Sequence, residues 1–255
     1  MTFDLDAYLE RIGVTRDASL REIHRAHVCS IPFENLDPRG GVRVSLDIEH
    51  LQDKLVTRRR GGYCFEQNLL LKAALEALGM EVVPLLARVT IGAPPGTVRG
   101  RTHLVLRVDD VWHVDVGFGL GGLLEPLPFG PGDEHIQSGW RFQNHARDEH
   151  VVFYENGAEQ YVIELEPAPM VDLEVSNWYT ATYPGSIFTT KLMVAIHRPD
   201  GTCVSLGDRE GLQLSVHTPS GREVTPVTPA EVPGLLEQHF GLRDTPIVWR
   251  GARSR

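Results

Sequence analysis

Cysteine is scarce in this chain: three residues among 255, Cys29, Cys64 and Cys203, with no CxxC pair. That scarcity excludes a disulfide framework and a ribbon-type structural zinc, and leaves one special thiol as the use to look for. Long apolar runs are missing too, and none approaches the roughly 18 residues of a membrane-spanning helix. The opening MTFDLDAYLERIGV carries acids where a secretory leader carries lysine or arginine before an apolar run, so a soluble, cytoplasmic protein with no membrane partner is expected. Excess positive charge is absent: 25 Lys and Arg face 34 Asp and Glu, a formal net charge of −9. With acids spread along the chain, a groove tracking nucleic acid is not expected, although the local groups Arg58 to Arg60 and Arg88, Arg99, Arg101 and Arg107 could meet an anionic ligand. No G-x-x-x-x-G-K-[ST] loop, internal repeat or low-complexity segment occurs.

What is present is 42% hydrophobic residues, enough for two or three subdomain cores. Residues 1–80 read as helical: Leu5, Tyr8, Leu9 and Ile12 recur at helical spacing, and SLREIHRAHVCSI repeats the pattern behind Ser19 as N-cap. A third helix runs from Cys64 to Leu78, closed by Gly79, and its apolar residues wrap nearly all round, which predicts a central buried helix. From 81 to 200 the period shifts towards 2 in short segments separated by Gly, Pro or Asp-Asp, which predicts an antiparallel sheet or barrel. Residues 201–255 mix short strands with one helix, PAEVPGLLEQHFG, and APPGTVRG and EPLPFGPGDEH read as surface loops.

Cys64 opens the buried helix behind RRRGGY. Unpaired N–H groups and the macrodipole at a helix start favour a thiolate and can supply donors to an oxyanion. Gly61 and Gly62 suit a tight turn that leaves room beside the sulfur for a substrate carbonyl. Cys29 and Cys203 lack this setting and read as buried apolar residues.

A nucleophilic cysteine needs a histidine base, and that histidine needs an acceptor to fix its tautomer. In RTHLVLRVDDVWHVDVGFG two strands flank Asp109-Asp110. A three-residue loop over 108–110 sets His103 directly opposite Asp115, and a two-residue turn puts them on opposite faces, so the pair requires an odd loop or a bulge. Gly117 and Gly119 follow on the same face and leave space beside the imidazole, with Phe118 pointing away. A rival use of His113-x-Asp115 as part of a facial triad for iron leaves Cys64 unexplained, and no metal site is expected.

Taken together, IPFENLD (31–37), RGGYCFEQN (60–68), THLVL (102–106), DVGFG (115–119) and, less closely, SIFTTKLMVAIHRPDG (186–201) resemble the blocks of the arylamine N-acetyltransferases, in that family's order. The resemblance implies an α+β fold with a cysteine-protease-like catalytic core: an N-terminal helical bundle (1–80) carrying the nucleophile, an antiparallel β-barrel (81–200) carrying His and Asp, and a C-terminal α/β lid (201–255). It implies a Cys64-His103-Asp115 triad and ping-pong transfer of an acetyl group from acetyl-CoA, as cosubstrate, to arylamines, arylhydrazines or N-hydroxyarylamines, a xenobiotic-metabolising chemistry. Phe33, Thr102, Phe118 and Phe188 are expected around the acceptor, Arg99, Gly100, Thr102 and Gly117 around CoA, and Glu34 with Arg60 as a structural ion pair. A related amide synthase and a papain-like thiol hydrolase are the alternatives, and monomer or homodimer is left open.

Overall fold

The structure, a computed structural model, describes residues 3–94 and 96–243. Met1 and Thr2 of the leader reading, Pro95 of the APPGTVRG loop and residues 244–255 of the C-terminal part lie outside the described residues. Helices α1 (Leu5–Ile12) and α2 (Leu20–Ser30) form where the spacing predicts them. Asp4 caps α1 by accepting the Ala7 N–H, and Ser19 with Glu22 makes a reciprocal capping box on α2. Strand β1 (Phe33–Glu34), helices α3 (Leu36–Gly40) and α4 (Ile48–Leu51) and a wide π-helical turn (Gln52–Thr57) then lead to α5 (Cys64–Ala77). Helix α5 is buried on nearly every side, as a helix apolar all round must be, and the chain leaves it through Gly79 at φ +89°.

Eight antiparallel strands follow: β2 (Val82–Val89), β3 (His103–Val108), β4 (Trp112–Val114), β5 (Leu127–Pro128), β6 (His135–Gln137), β7 (Trp140–Arg147), β8 (His150–Glu155) and β9 (Ala158–Pro167). Their order is β5-β4-β3-β2-β9-β8-β7-β6, and the Asn144 amide on β7 donates to Pro128 O on β5, drawing the two ends of the sheet towards barrel closure. Alternation along β3 gives the sheet two faces. Leu104, Leu106 and Val108 pack on the helices, and Val105 joins Leu85, Phe153, Tyr161 and Ile163 inside the barrel. His103, in step with Val105, therefore faces inward.

Helices α6 (Met170–Thr182) and α7 (Ile187–Thr190) precede β10 (Met193–His197), β11 (Cys203–Gly207), β12 (Gln213–Thr218), β13 (Gly221–Pro226) and α8 (Val232–Phe240). The second sheet runs β1-β10-β11-β12-β13, and α8 covers it through Leu236 and Phe240. Several features differ from the sequence reading, among them EPLPFGPGDEH, which is not only a surface loop but holds β5 and buries Leu127 and Phe129 in the barrel core. Strand β10 pairs with β1 at Phe33↔Ala195 and not with the 81–200 sheet, because a two-residue strand inside a helical stretch has no period to read. Helix α6 was not expected at all: its Val171, Val175 and Trp178 are exposed while Leu173, Thr180 and Ala181 are buried, so β-branched and apolar residues on both sides blur the helical period.

Candidate active site

Cys64 is the first residue of α5 and only 2% exposed, with Sγ 3.8 Å from Thr102 O, a contact suited to a weak S–H donor. The loop before it is tight for reasons other than those the sequence suggests. The left-handed residue is Arg59, at φ +52°, and neither Gly61 nor Gly62 has a positive φ. Nor do these glycines open space for a substrate: a Cβ at Gly61 would sit 2.1 Å from Pro32 O, and one at Gly62 would sit 2.8 Å from Glu66 Oε2. Their lack of a side chain lets the loop lie against β1, where Glu34 N–H donates to Gly62 O at 3.0 Å.

Beneath the loop lies the expected Glu34–Arg60 pair, enlarged to five charges. Arg60 donates to Glu34 at 2.6 Å and Asp37 at 3.0 Å, and Lys54, 1% exposed, bridges Asp37 at 2.6 Å and Glu66 at 2.7 Å. Burial alone would raise the Asp37 carboxyl, but Lys54 and Arg60 outweigh it and hold it below the usual carboxylate range. Burial likewise works against the Lys54 charge, and Glu66, Glu34 and Asp37 together reverse that and raise its pKa. Sequence spacing pointed to neither Lys54 nor Glu66.

The hairpin loop is odd, as the His–Asp pairing requires, with Asp109 and Asp110 at φ +50° and +56°. Its register differs by two residues from the expected one: Val108 pairs with Trp112 and Arg107 with His113, so the loop is 109–111. His103 and Asp115 therefore share a face as diagonal neighbours. The ladder ends at Val114, and Asp115 reaches back so that its Oδ2 lies 2.7 Å from His103 Nε2. Cys64 acts on the same ring as a hydrogen-bonding partner.

Two residues that the sequence reading missed complete this array. Asn68, one turn after Cys64 on the same face of α5, donates to Asp115 Oδ1 at 3.0 Å and Leu104 O at 2.7 Å, and accepts the Val116 N–H at 3.0 Å. Its i+4 spacing from Cys64, as a polar residue in an apolar helix, was the available signal. Tyr161 on β9 places its hydroxyl 2.9 Å from Asp115 Oδ2, and the Gly117 N–H donates to Oδ1 at 2.9 Å. Burial alone would raise the Asp115 carboxyl, yet the His103 charge and these donors bring it down to about 2. Burial would lower His103, and the Asp115 carboxylate with its hydrogen bond overrides that, pushing it up to about 10. Both partners therefore favour the ion pair at neutral pH.

Aromatic rings border the array. Phe118 does not point away from the imidazole: its ring centroid is 5.2 Å from His103 and 5.0 Å from Tyr161. Phe188 lies 6.3 Å from Phe33 and 5.2 Å from Tyr63, and a Cβ on Gly119 would meet the Phe33 ring at 2.9 Å. Gly117 leaves no space for a ligand, since a Cβ there would sit 2.5 Å from Cys64 Cα, and its glycine serves close packing against α5. Thr102 touches the sulfur through its carbonyl, while Arg99 and Gly100 lie exposed on the loop before β3. His113 and Asp115 do not converge on a common point for a metal but face each other across Tyr161, and among the described residues no three His, Cys, Asp or Glu are grouped to hold one.

Residues 18–245 match the family model described as N-acetyltransferase. The arylamine N-acetyltransferase of Mycolicibacterium smegmatis is 38% identical, over 100% of this chain and 98% of its own length. The arylamine N-acetyltransferase / N-hydroxyarylamine O-acetyltransferase of Salmonella typhimurium is 35% identical, over 95% and 90%. Among solved structures, Mycobacterium marinum arylamine N-acetyltransferase in complex with CoA superposes with a TM-score of 0.87 at 36% identity, covering 93% of this chain and 92% of its own.

Proposed function

Since the chain belongs to the arylamine N-acetyltransferase family, acyltransferases that use acetyl-CoA, we propose that Cys64, His103 and Asp115 form its catalytic triad and that Cys64 carries the acetyl group between donor and acceptor. The observation that supports this most directly is the His103–Asp115 contact at 2.7 Å, with Cys64 as the second partner of the ring. With its proton already taken up by His103, the Cys64 sulfur attacks the acetyl-CoA carbonyl carbon. N–H groups of the first turn of α5, which lack partners within the helix, face the oxygen that takes up the carbonyl electron pair. Collapse breaks the bond to the CoA sulfur, which leaves with the proton from His103. An aromatic amine or hydrazine nitrogen then attacks the acetyl-cysteine and yields its proton to His103 as the Cys64 sulfur departs. Asp115 holds the ring and stabilises its charged form throughout.

Phe33, Phe118 and Phe188 offer an apolar slot for the weakly basic, largely neutral aromatic acceptor. Arg99, Gly100 and Thr102, on the exposed approach to Cys64, are the residues assigned to CoA. Three cysteines without a disulfide suit a reducing, cytoplasmic setting. Incubation with acetyl-CoA followed by intact-mass measurement is expected to show one acetyl group on Cys64, discharged by an aromatic amine. Acetyl transfer at the wild-type rate by Cys64→Ser would sink the mechanism.

A further inference from the structure

Behind the Cys64-His103-Asp115 array lies an imidazole that the transfer steps do not use. His113, on β4, is fully buried inside the barrel, with the rings of Phe129 and Phe153 set edge-on to it. Its Nε2 is 3.0 Å from the Tyr161 hydroxyl, which in turn is 2.9 Å from Asp115 Oδ2, the oxygen that holds His103. Its Nδ1 is 3.3 Å from Asn144 Oδ1.

The protons of this chain can be placed. Burial keeps the Tyr161 hydroxyl protonated, and burial also outweighs the pull of Asp115 on His113 and brings it down to about 4. At neutral pH each therefore brings one proton. Asn144 brings none, because its amide nitrogen donates to Pro128 O at 2.8 Å and only its oxygen faces His113. Two protons serve three contacts, so one contact goes without. If His113 carries its proton on Nδ1, Tyr161 either donates to Nε2 and turns a lone pair on the Asp115 carboxylate, or donates to Asp115 and faces the Nε2 lone pair with its own at 3.0 Å. If His113 carries it on Nε2, every donor points towards Asp115 and the empty contact is His113–Asn144. A hydrogen bond to a carboxylate is about twice as strong as a neutral one. The empty contact then also coincides with the longest of the three distances.

We infer that His113 is a positioning residue of the transfer reaction: as its Nε2–H tautomer it donates to the Tyr161 oxygen and so aims the Tyr161 hydroxyl at Asp115. Successive hydrogen bonds polarise one another, so the Tyr161 donor is strengthened and Asp115 spends part of its charge on it. The pull on the His103 proton is reduced accordingly, which suits a base that must give its proton up in each cycle. Of the other ionisable groups nearby, Glu155 on β8, whose charge acts on Tyr161, turns its carboxylate to the Gly122 N–H. Asp115 and His103 reach His113 only across Tyr161, and His24 on α2 has its Nε2 at the Asp115 N–H and its Nδ1 at Leu124 O. Arg107, the cross-strand partner of His113, turns to Asp110 and the Phe129 ring.

The inference rests on the triad assignment, and the test separates the two. The pH profile for discharge of the acetyl-enzyme by a weakly basic aromatic amine rises as His103 becomes the free base. In His113→Leu this limb is expected to move up by roughly 0.5 pH unit. His113→Gln, whose amide N–H can meet the Tyr161 oxygen, is expected to keep the wild-type limb. Tyr161→Phe should move the limb at least as far as His113→Leu, and adding His113→Leu to it should move it no further. An unmoved limb in His113→Leu, or an equal extra shift in the Tyr161→Phe background, overturns the inference. A 15N spectrum of the wild-type protein needs no variant to fold: His113 as the Nε2–H tautomer is expected, and the Nδ1–H tautomer overturns it. Discharge left unchanged by Asp115→Asn would defeat the triad itself, whereas a slow Asp115→Asn beside an unmoved His113→Leu limb would defeat only the role of His113.

Discussion

Two carboxylates lie fully buried close to Cys64, and their ionisation is pushed in opposite directions. Asp115 receives donors on both oxygens, from His103, Tyr161, Asn68 and Gly117, and falls to about 2. Glu66 has the Lys54 ammonium at 2.7 Å and the Tyr63 N–H at 3.1 Å, yet burial, with Glu34 close by, leaves it raised. Depth of burial is the same for both, so the number of donors and the sign of the neighbouring charge decide the outcome. The Asp115 side is a chain of movable protons around one anion. The Glu66 side is a lattice of fixed charges whose task is to hold the loop.

The contrast predicts that the two sides fail differently. The largest expected effect is on the rate: Asp115→Asn should lower kcat/KM by roughly 10³–10⁴ with little change in the thermal midpoint. Glu66→Gln should lower it less than about tenfold, and an equal loss would erase the distinction. Next comes stability. Lys54→Met leaves Asp37 and Glu66 without their shared cation and should cost about 3–5 kcal/mol in urea unfolding, while the folded fraction keeps most of its activity. Smallest is a difference in slope. A raised folded-state pKa contributes stability that is present at low pH and lost as pH rises through it, whereas a depressed one contributes stability that is present above about 3.8 and lost on falling through about 2. Between pH 4 and 7 the wild-type protein should therefore gain stability on acidification relative to Glu66→Gln, and parallel curves would contradict the raised Glu66.

Much of this site was legible in the sequence because its parts are local. The helix start at Cys64 follows from period and punctuation, and the shared face of His103 and Asp115 follows from the parity of one hairpin loop. What was not legible depends on pieces of chain that meet late. Tyr161 reaches Asp115 because β9 pairs with β2, a neighbour far from it in sequence. Lys54 and Glu66 sit in helical stretches where a charged residue ordinarily means a solvated surface. Gly61 and Gly62 signalled closeness, but not to what: the partners are Pro32 and Glu66, so the room they create is filled by the protein itself.

Asn68 has a consequence for the order in which the chain becomes active. Its one side chain joins α5 to Leu104, Asp115 and Val116, partners 36, 47 and 48 residues away in sequence. Contacts of such separation close late, after the loops between them have lost their freedom. A chain with α5 formed and the barrel still open thus has a cysteine at a helix end but no fixed imidazole beside it. Reactivity towards thioesters should accordingly return on refolding after helical structure does, which keeps the Cys64 thiol quiet in the incomplete molecule.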